Sequence, residues 1–133
     1  MTALTWDNRI FTNVYNAVSD ICPNVVNSSN NDITKFPTTD VSLLTGEDEN
    51  VDLENCDGGA NLTYEVEIYT NGTNRIIENL EIGTRVYNVF KKMGFRLVLV
   101  RTVRNEADNS IFRRVARYRR FIGDGETIEL IYR

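Results

Sequence analysis

The sequence predicts an α+β fold, in which two main helices pack on a mixed, mostly antiparallel sheet with a long C-terminal β-hairpin. Two segments carry apolar residues at spacings of three and four, the period of a helix that packs on a core. Several other segments alternate apolar and polar residues or are rich in β-formers. Because the chain has 133 residues, the length of one ordinary domain, we expect residues 1–133 to form a single domain.

The first part of the chain predicts a helix followed by a strand. Residues 4–21 form the helix, which the Cys22-Pro23 pair ends. A polar loop at 24–32 leads into an extended segment at 33–45. Pro37 either confines this strand to a sheet edge or delays its start. The residues expected on the apolar face of the helix are Ile10, Val14, Val18 and Ile21.

A clean strand and a second helix follow. Residues 61–70 alternate strictly, and residues 74–93 have a helical stripe that ends at Gly94, a residue suited to close a helix. We expect the apolar sides of the two elements to face each other. The strand contributes Leu62, Tyr64, Val66 and Ile68 to this contact, and the helix contributes Ile76, Leu80, Val86 and Phe90.

The last third of the chain predicts the long hairpin. Residues 95–104 and 111–122 are expected to pair as antiparallel strands around the polar tip 105–109. Asp124-Gly125 offers a further turn, and the alternating segment 127–133 predicts a last short strand.

Charge is divided unevenly along the chain. Residues 91–133 hold eleven basic and five acidic side chains, whereas residues 1–90 hold four basic and fourteen acidic ones. Opposite charges on two parts of one small surface suit a protein that binds copies of itself, or a neighbour, head to tail. This pattern favours assembly over catalysis.

The arginine-rich strand at 111–122 has three interpretations: a charged edge that prevents aggregation, a phosphate-binding surface or a subunit interface. Arginine outnumbers lysine by eight to two across 91–120, which favours fixed bidentate partners. An isoelectric point near 4.9 disfavours nucleic acid as the main ligand. We therefore expect a subunit or partner interface that uses Arg113, Arg117, Arg119 and Arg120.

The acidic segment at 46–60 is the predicted counterpart of this strand. A solvated loop is the commoner outcome for such a run of charges. The alternative is that its carboxylates meet arginines of a neighbour. The residues expected at that interface are Glu47, Asp48, Glu49 and Asp52.

No arrangement of residues predicts an active site, a metal site or a cofactor site. The chain contains no histidine, and Cys22 and Cys56 lie far apart and form no CxxC motif, which disfavours a zinc site. The N-terminal residues show no secretory signal pattern, so we expect free thiols in a reducing cytoplasm, with a disulfide between the two cysteines as the alternative. Glu65 and Glu67 are interpreted as alternating acids on the exposed side of a strand rather than a catalytic pair. We expect a protein that is not an enzyme, has no cofactor and does not enter a membrane.

Taken in order, five segments resemble the tail terminator, or tail completion, family of long-tailed bacteriophages and phage-tail-like particles. They extend over about two thirds of the chain. The matching segments are Phe36-Pro37, 62–71, 92–95, 105–108 and 111–118. The resemblance implies an α+β subunit of a hexameric ring that caps the tail-tube protein and offers a docking surface to the head.

The resemblance also implies a virion protein of the tail or neck, assembled in the host cytoplasm. Its expected partners are itself, the tail-tube protein and a head-closure or connector protein, with no specific nucleic acid, although DNA passes through such a ring. The family supplies no catalytic residue to this chain. The alternatives are a head-closure or head–tail adaptor subunit and, as a different class, a nucleic-acid-binding α+β module.

Overall fold

The computed structural model describes residues 3–27, 34–49, 59–104, 110–123, 126 and 128–131. Within these ranges the chain forms two helices and five strands, an α+β fold that confirms the predicted class. None of the described helices is long and apolar enough to cross a membrane. The elements in chain order are α1 (Ala3–Val18), β1 (Asn24–Val26), β2 (Thr38–Glu49), β3 (Gly59–Asn71), α2 (Arg75–Lys92), β4 (Arg96–Val103) and β5 (Ile111–Gly123).

The strands form one sheet in the order β1-β2-β3-β5-β4. The short β1 runs parallel to β2, and every other pairing is antiparallel. Gly59 lies opposite Gly123, and Asn71 lies opposite Ile111. Strand β2 therefore ends where β3 begins at one end of the sheet, and β4 ends where β5 begins at the opposite end.

One face of the sheet is covered by the helices, and it carries the core. The predicted apolar side of β3 is buried there: Leu62, Tyr64, Val66 and Ile68. Next to it, the Phe90 ring of α2 stacks on Tyr118 of β5 with the ring centroids 4.3 Å apart. Phe95 meets Phe90 edge-on at 5.1 Å, so an aromatic cluster fixes α2 against the sheet.

Helix α2 buries a different stripe from the predicted one. Ile76 and Leu80 are 50% and 43% exposed, so their expected contact with β3 is wrong, whereas Val86 and Phe90 are buried as expected. The sequence contains two adjacent apolar rows, and the buried polar residue Asn79 made the correct row look less apolar. The buried row of the helix consists of Asn79, Ile82, Val86, Val89 and Phe90.

The acidic segment is partly a strand rather than a loop. Glu47, Asp48 and Glu49 continue β2, in register with Asn61, Ala60 and Gly59 of β3. The neighbouring strand provides the backbone hydrogen bonds, so the acidic composition does not prevent pairing. Asp52 and Cys56 lie outside the described residues.

Pro37 delays the start of β2, which was one of its two expected effects. The strand begins at Thr38, directly after this proline. Part of the predicted polar loop at 24–32 pairs with it, because Asn24–Val26 lie opposite Thr38 to Asp40. From residue 41 onward, no described strand lies beside the edge of β2 that faces away from β3.

The last described segment, 128–131, is not the predicted strand. Its backbone binds side chains of α1 instead of a neighbouring strand. The Asn13 amide nitrogen donates to the Glu129 carbonyl oxygen at 2.7 Å, and the Ile131 N–H donates to Asn13 Oδ1 at 2.6 Å. Asn16 adds a bond from Nδ2 to the Ile131 carbonyl oxygen at 3.1 Å. The buried Ile128 side chain then closes one end of the core.

Candidate functional site

The outer face of the sheet, which is the face away from the helices, carries two arginine–glutamate pairs. Arg117 of β5 lies opposite Glu65 of β3, and its Nε donates to Glu65 Oε2 at 2.8 Å. Arg113 donates from Nε and Nη2 to Glu67 Oε2, at 2.9 and 2.7 Å. The two glutamates that the sequence indicated as solvated acids are therefore partners of the arginine-rich strand.

Tyr69 joins the pair formed by Arg113 and Glu67. Its hydroxyl donates to the same Glu67 oxygen, and the Arg113 guanidinium lies 5.4 Å from the centre of its ring. Burial raises the pKa of Tyr69, and the hydrogen bond to Glu67 raises it further. The phenol therefore stays neutral at physiological pH and remains a donor.

The other two predicted interface arginines differ from each other. Arg120 donates to the Met93 carbonyl oxygen at 2.6 Å and to Glu126 Oε2 at 2.9 Å. Arg119 is exposed and donates to the neutral Asn61 Oδ1 at 3.3 Å. Of the four predicted residues, Arg119 thus makes no ion pair with any described residue, and the proposed contact of all four with a second subunit stays a prediction.

The free edge of the sheet at β4 is a basic feature that the sequence reasoning missed. Arg96, Arg101 and Arg104 are exposed there and form no ion pair within the described ranges. Arg96 lies directly opposite Arg119, so two like charges meet on the outer face. Together with Arg120 and the exposed Phe121 they line a shallow depression. The hairpin pattern predicted that β4 pairs with β5, but only the strand order shows that the other side of β4 is open.

An apolar groove of about 240 Å³ lies on the helix side of the same edge. Leu80 and Tyr87 of α2 form one wall, and Leu97 and Val100 of β4 form the other. All four side chains are substantially exposed. Continuous exposed apolar surface of this kind usually marks a contact with another protein.

Asn79 lines the groove and is 1% exposed. Its Nδ2 donates to the Ile68 carbonyl oxygen at 2.8 Å and more weakly to the Phe112 carbonyl oxygen at 3.3 Å. Its Oδ1 accepts no hydrogen bond from any described residue. The amide therefore ties α2 to two strands and leaves one buried acceptor without a described donor.

Comparisons with known proteins identify a fold. No family model and no curated protein matches the sequence. A solved structure described as the virion of a native gene transfer agent (GTA) particle contains a chain that matches with a TM-score of 0.59. The match covers 91% of this chain and 99% of that one. The two chains share a fold. Their identity is 12%, so the likeness concerns the path of the backbone and assigns no role to any side chain.

Proposed function

We propose that this chain is a structural protein of a phage or phage-like tail, a terminator subunit whose ring caps the tail tube and provides the surface on which the head docks. The observation that carries the proposal is the shared fold with a virion chain, which extends over nearly all of both chains. The segments that resemble tail terminators, among them 62–71 and 111–118, add the more specific role.

The surfaces of the single chain support a role in assembly. Among the described residues, the edge of β4 that faces away from β5 has no partner strand. The same holds for the edge of β2 that faces away from β3, from residue 41 onward. A ring subunit has two neighbours, and two open edges of one sheet provide two separate contacts. The groove beside Leu80 and Leu97 offers a third surface, for a tube or head protein.

The proposed partners are further copies of this chain in a hexamer, the tail-tube protein and a head-closure or connector protein. The location is the virion tail or neck, after assembly in the host cytoplasm. A head-closure or adaptor subunit of the same kind of particle is the second candidate, since the shared fold with a virion chain fits it equally. The arginine-rich strand gives less support to a nucleic-acid module, because Arg113 and Arg117 already bind carboxylates.

The test is a capping assay with purified tail-tube protein. We expect the chain to bind the end of preformed tubes, to appear there as a ring by negative-stain electron microscopy and to stop further addition of tube subunits. Binding to the connector protein without any effect on tube growth would support the adaptor role instead. Absence of binding to both would contradict the proposed class.

A further inference from the structure

We propose that β4 of one copy pairs with residues 41–49 of β2 in a second copy, so that the sheet continues from subunit to subunit. The inference rests on the proposed function, since it names the surface through which the proposed ring is built. It keeps Arg119 from the sequence-based interface, adds Arg96 and leaves out Arg113, Arg117 and Arg120.

The two edges have matching form. Strand β4 is eight residues long and pairs with β5 on one side only. Strand β2 is covered by β1 at residues 38–40 and by no described strand beyond them. Long open edges with exposed apolar residues readily pair with another strand. Both edges carry such residues, Val98 and Val100 on β4 and Leu44 on β2.

Charge selects the pairing between unlike edges. Two β4 edges would place Arg96 and Arg101 of both copies along one contact, and two β2 edges would do the same with Glu47 and Glu49. Like charges across paired strands are destabilising. A β4 edge against a β2 edge brings arginines to acids, which is the arrangement that the outer face already uses between β3 and β5.

Strand direction places the acids beside the arginine cluster. Within one chain β4 runs antiparallel to β2, because three antiparallel pairings separate them. A second copy related by rotation about an axis along the strands keeps this direction, so its β2 pairs antiparallel with β4 and the outer faces stay on the same side. The start of β4 at Arg96 then meets the end of β2 at Glu49.

The arginine cluster at the start of β4 can accept such a partner, because Arg96 and Arg119 are exposed. Arg96 lies opposite Arg119, and Arg120 lines the same depression. Glu126 binds Arg120 within the chain, which leaves Arg96 and Arg119 without a described carboxylate. Glu47 and Glu49 occupy the register positions on β2 that continue the row of Glu65 and Glu67. A neighbour's β2 thus brings acids to the same face as the two arginines.

Two charge-reversal variants test the contact. R96E/R119E changes the β4 edge, and E47K/E49K changes the β2 edge. We expect the wild-type chain to assemble in low salt and each variant alone to sediment as a monomer, because each then brings like charges together. An equimolar mixture should assemble again, since every contact between the two variants joins opposite charges. Rings with an even number of subunits can close in this way.

Two control variants carry the same changes of net charge at exposed sites on neither edge. K91E/K92E matches the first variant, and E81K/E129K matches the second. Both should sediment like the wild type. Thermal melting at low concentration should show that all four variants are folded. Amide hydrogen exchange of β4 should slow on assembly of the wild type, which separates strand pairing from contact through side chains alone.

Any of three results overturns the proposal. The wild-type chain stays monomeric at about 1 mM, a concentration at which contacts of ordinary affinity are populated. The edge variants assemble like the wild type, or the equimolar mixture of the two variants does not recover assembly. These outcomes differ from failure of the proposed function. Tube capping that survives in both edge variants removes the inference and keeps the function. If instead the wild type and the variants assemble as expected but the wild type binds neither the tube nor the connector protein, the strand pairing stands and the proposed function is contradicted.

Discussion

Arg113 holds a single carboxylate oxygen of Glu67 between two of its guanidinium nitrogens, at 2.9 and 2.7 Å. The pair is mostly sheltered, with side-chain exposures of 28% and 15%. The Arg113 guanidinium carbon lies 5.4 Å from the centre of the Tyr69 ring, and the Tyr69 hydroxyl donates to the same oxygen. A contact of this kind belongs to the stability of the single chain, whatever the neighbours do.

The first prediction compares two arginines of β5. Arg113→Ala should lower the free energy of unfolding by about 1–3 kcal/mol, since it leaves a sheltered carboxylate without its charged donors. Arg119→Ala should change it by less than about 0.5 kcal/mol, because Arg119 is exposed and binds only a neutral amide oxygen. Urea unfolding of both variants measures the difference. Equal losses would show that the Arg113 pair contributes no more than an ordinary surface contact.

The second prediction separates the buried stripe of α2 from its exposed neighbour. Ile82→Asp and Val66→Asp should each abolish soluble expression, because a carboxylate would be buried without a partner. Leu80→Asp should express normally and melt near the wild-type temperature, since this side chain lies at the open groove. Expression yield and thermal melting provide the readout. Failure of Leu80→Asp to fold would mean that the groove wall is part of the core.

The third prediction concerns the end of α2. Gly94 has φ near +85°, and a Cβ there would meet the Arg120 guanidinium carbon at 3.3 Å. Gly94→Ala should cost about 1 kcal/mol or more, through backbone strain and a displaced arginine. Gly72, with φ near +93°, is the matched control, because a Cβ there would meet no other atom within 4 Å. Chemical denaturation should show a smaller loss for Gly72→Ala, and the reverse order would exclude the contact with Arg120.

The fourth prediction is a loss of stability in alkali. Burial raises the pKa of Tyr118 above its usual value near 10, and the neighbouring Tyr87 adds to the shift. The folded chain therefore keeps a proton that the unfolded chain releases, so stability falls as the pH rises above about 10. Tyr118→Phe keeps the ring that stacks on Phe90 and removes the titrating group. Above about pH 10 the stability of this variant should fall less steeply than that of the wild type, with a difference in slope of about 1.4 kcal/mol per pH unit. Parallel slopes for the two proteins would contradict the assignment.

Local patterns predicted the elements well. The expected helix at 74–93 is Arg75–Lys92, and the expected strand at 111–122 is Ile111–Gly123. Both have strong periodicity and clear ends, which depend only on neighbouring residues. The predicted hairpin of β4 and β5 and the buried side of β3 are confirmed for the same reason.

The features that failed depend on contacts between distant segments. The pairing of Arg113 with Glu67 requires the register of β3 against β5, and no local pattern specifies it. The exposed Leu80 belongs to the row that looked more apolar in the sequence, and only the packed helix shows that the row with Asn79 is the buried one. The open position of Arg96 follows from the strand order, in which β5 rather than β4 lies beside β3. The sequence thus indicated the arginines of β5 but neither their carboxylate partners within the chain nor the open edge at Arg96.

The hydrogen bonds of Asn13 have a consequence for synthesis on the ribosome. Two of its three partners, the Glu129 carbonyl and the Ile131 N–H, lie 116 and 118 residues further along the chain, and the third, Met93 Sδ, lies 80 residues along. Helix α1 is synthesised before these residues, so in the native packing the Asn13 amide oxygen, which is buried in the folded chain, has no described donor until the Ile131 N–H is present. The native packing of α1 is thus completed only after residues 129–131 have been synthesised, and a copy without them would present an unfinished core instead of a subunit ready for assembly.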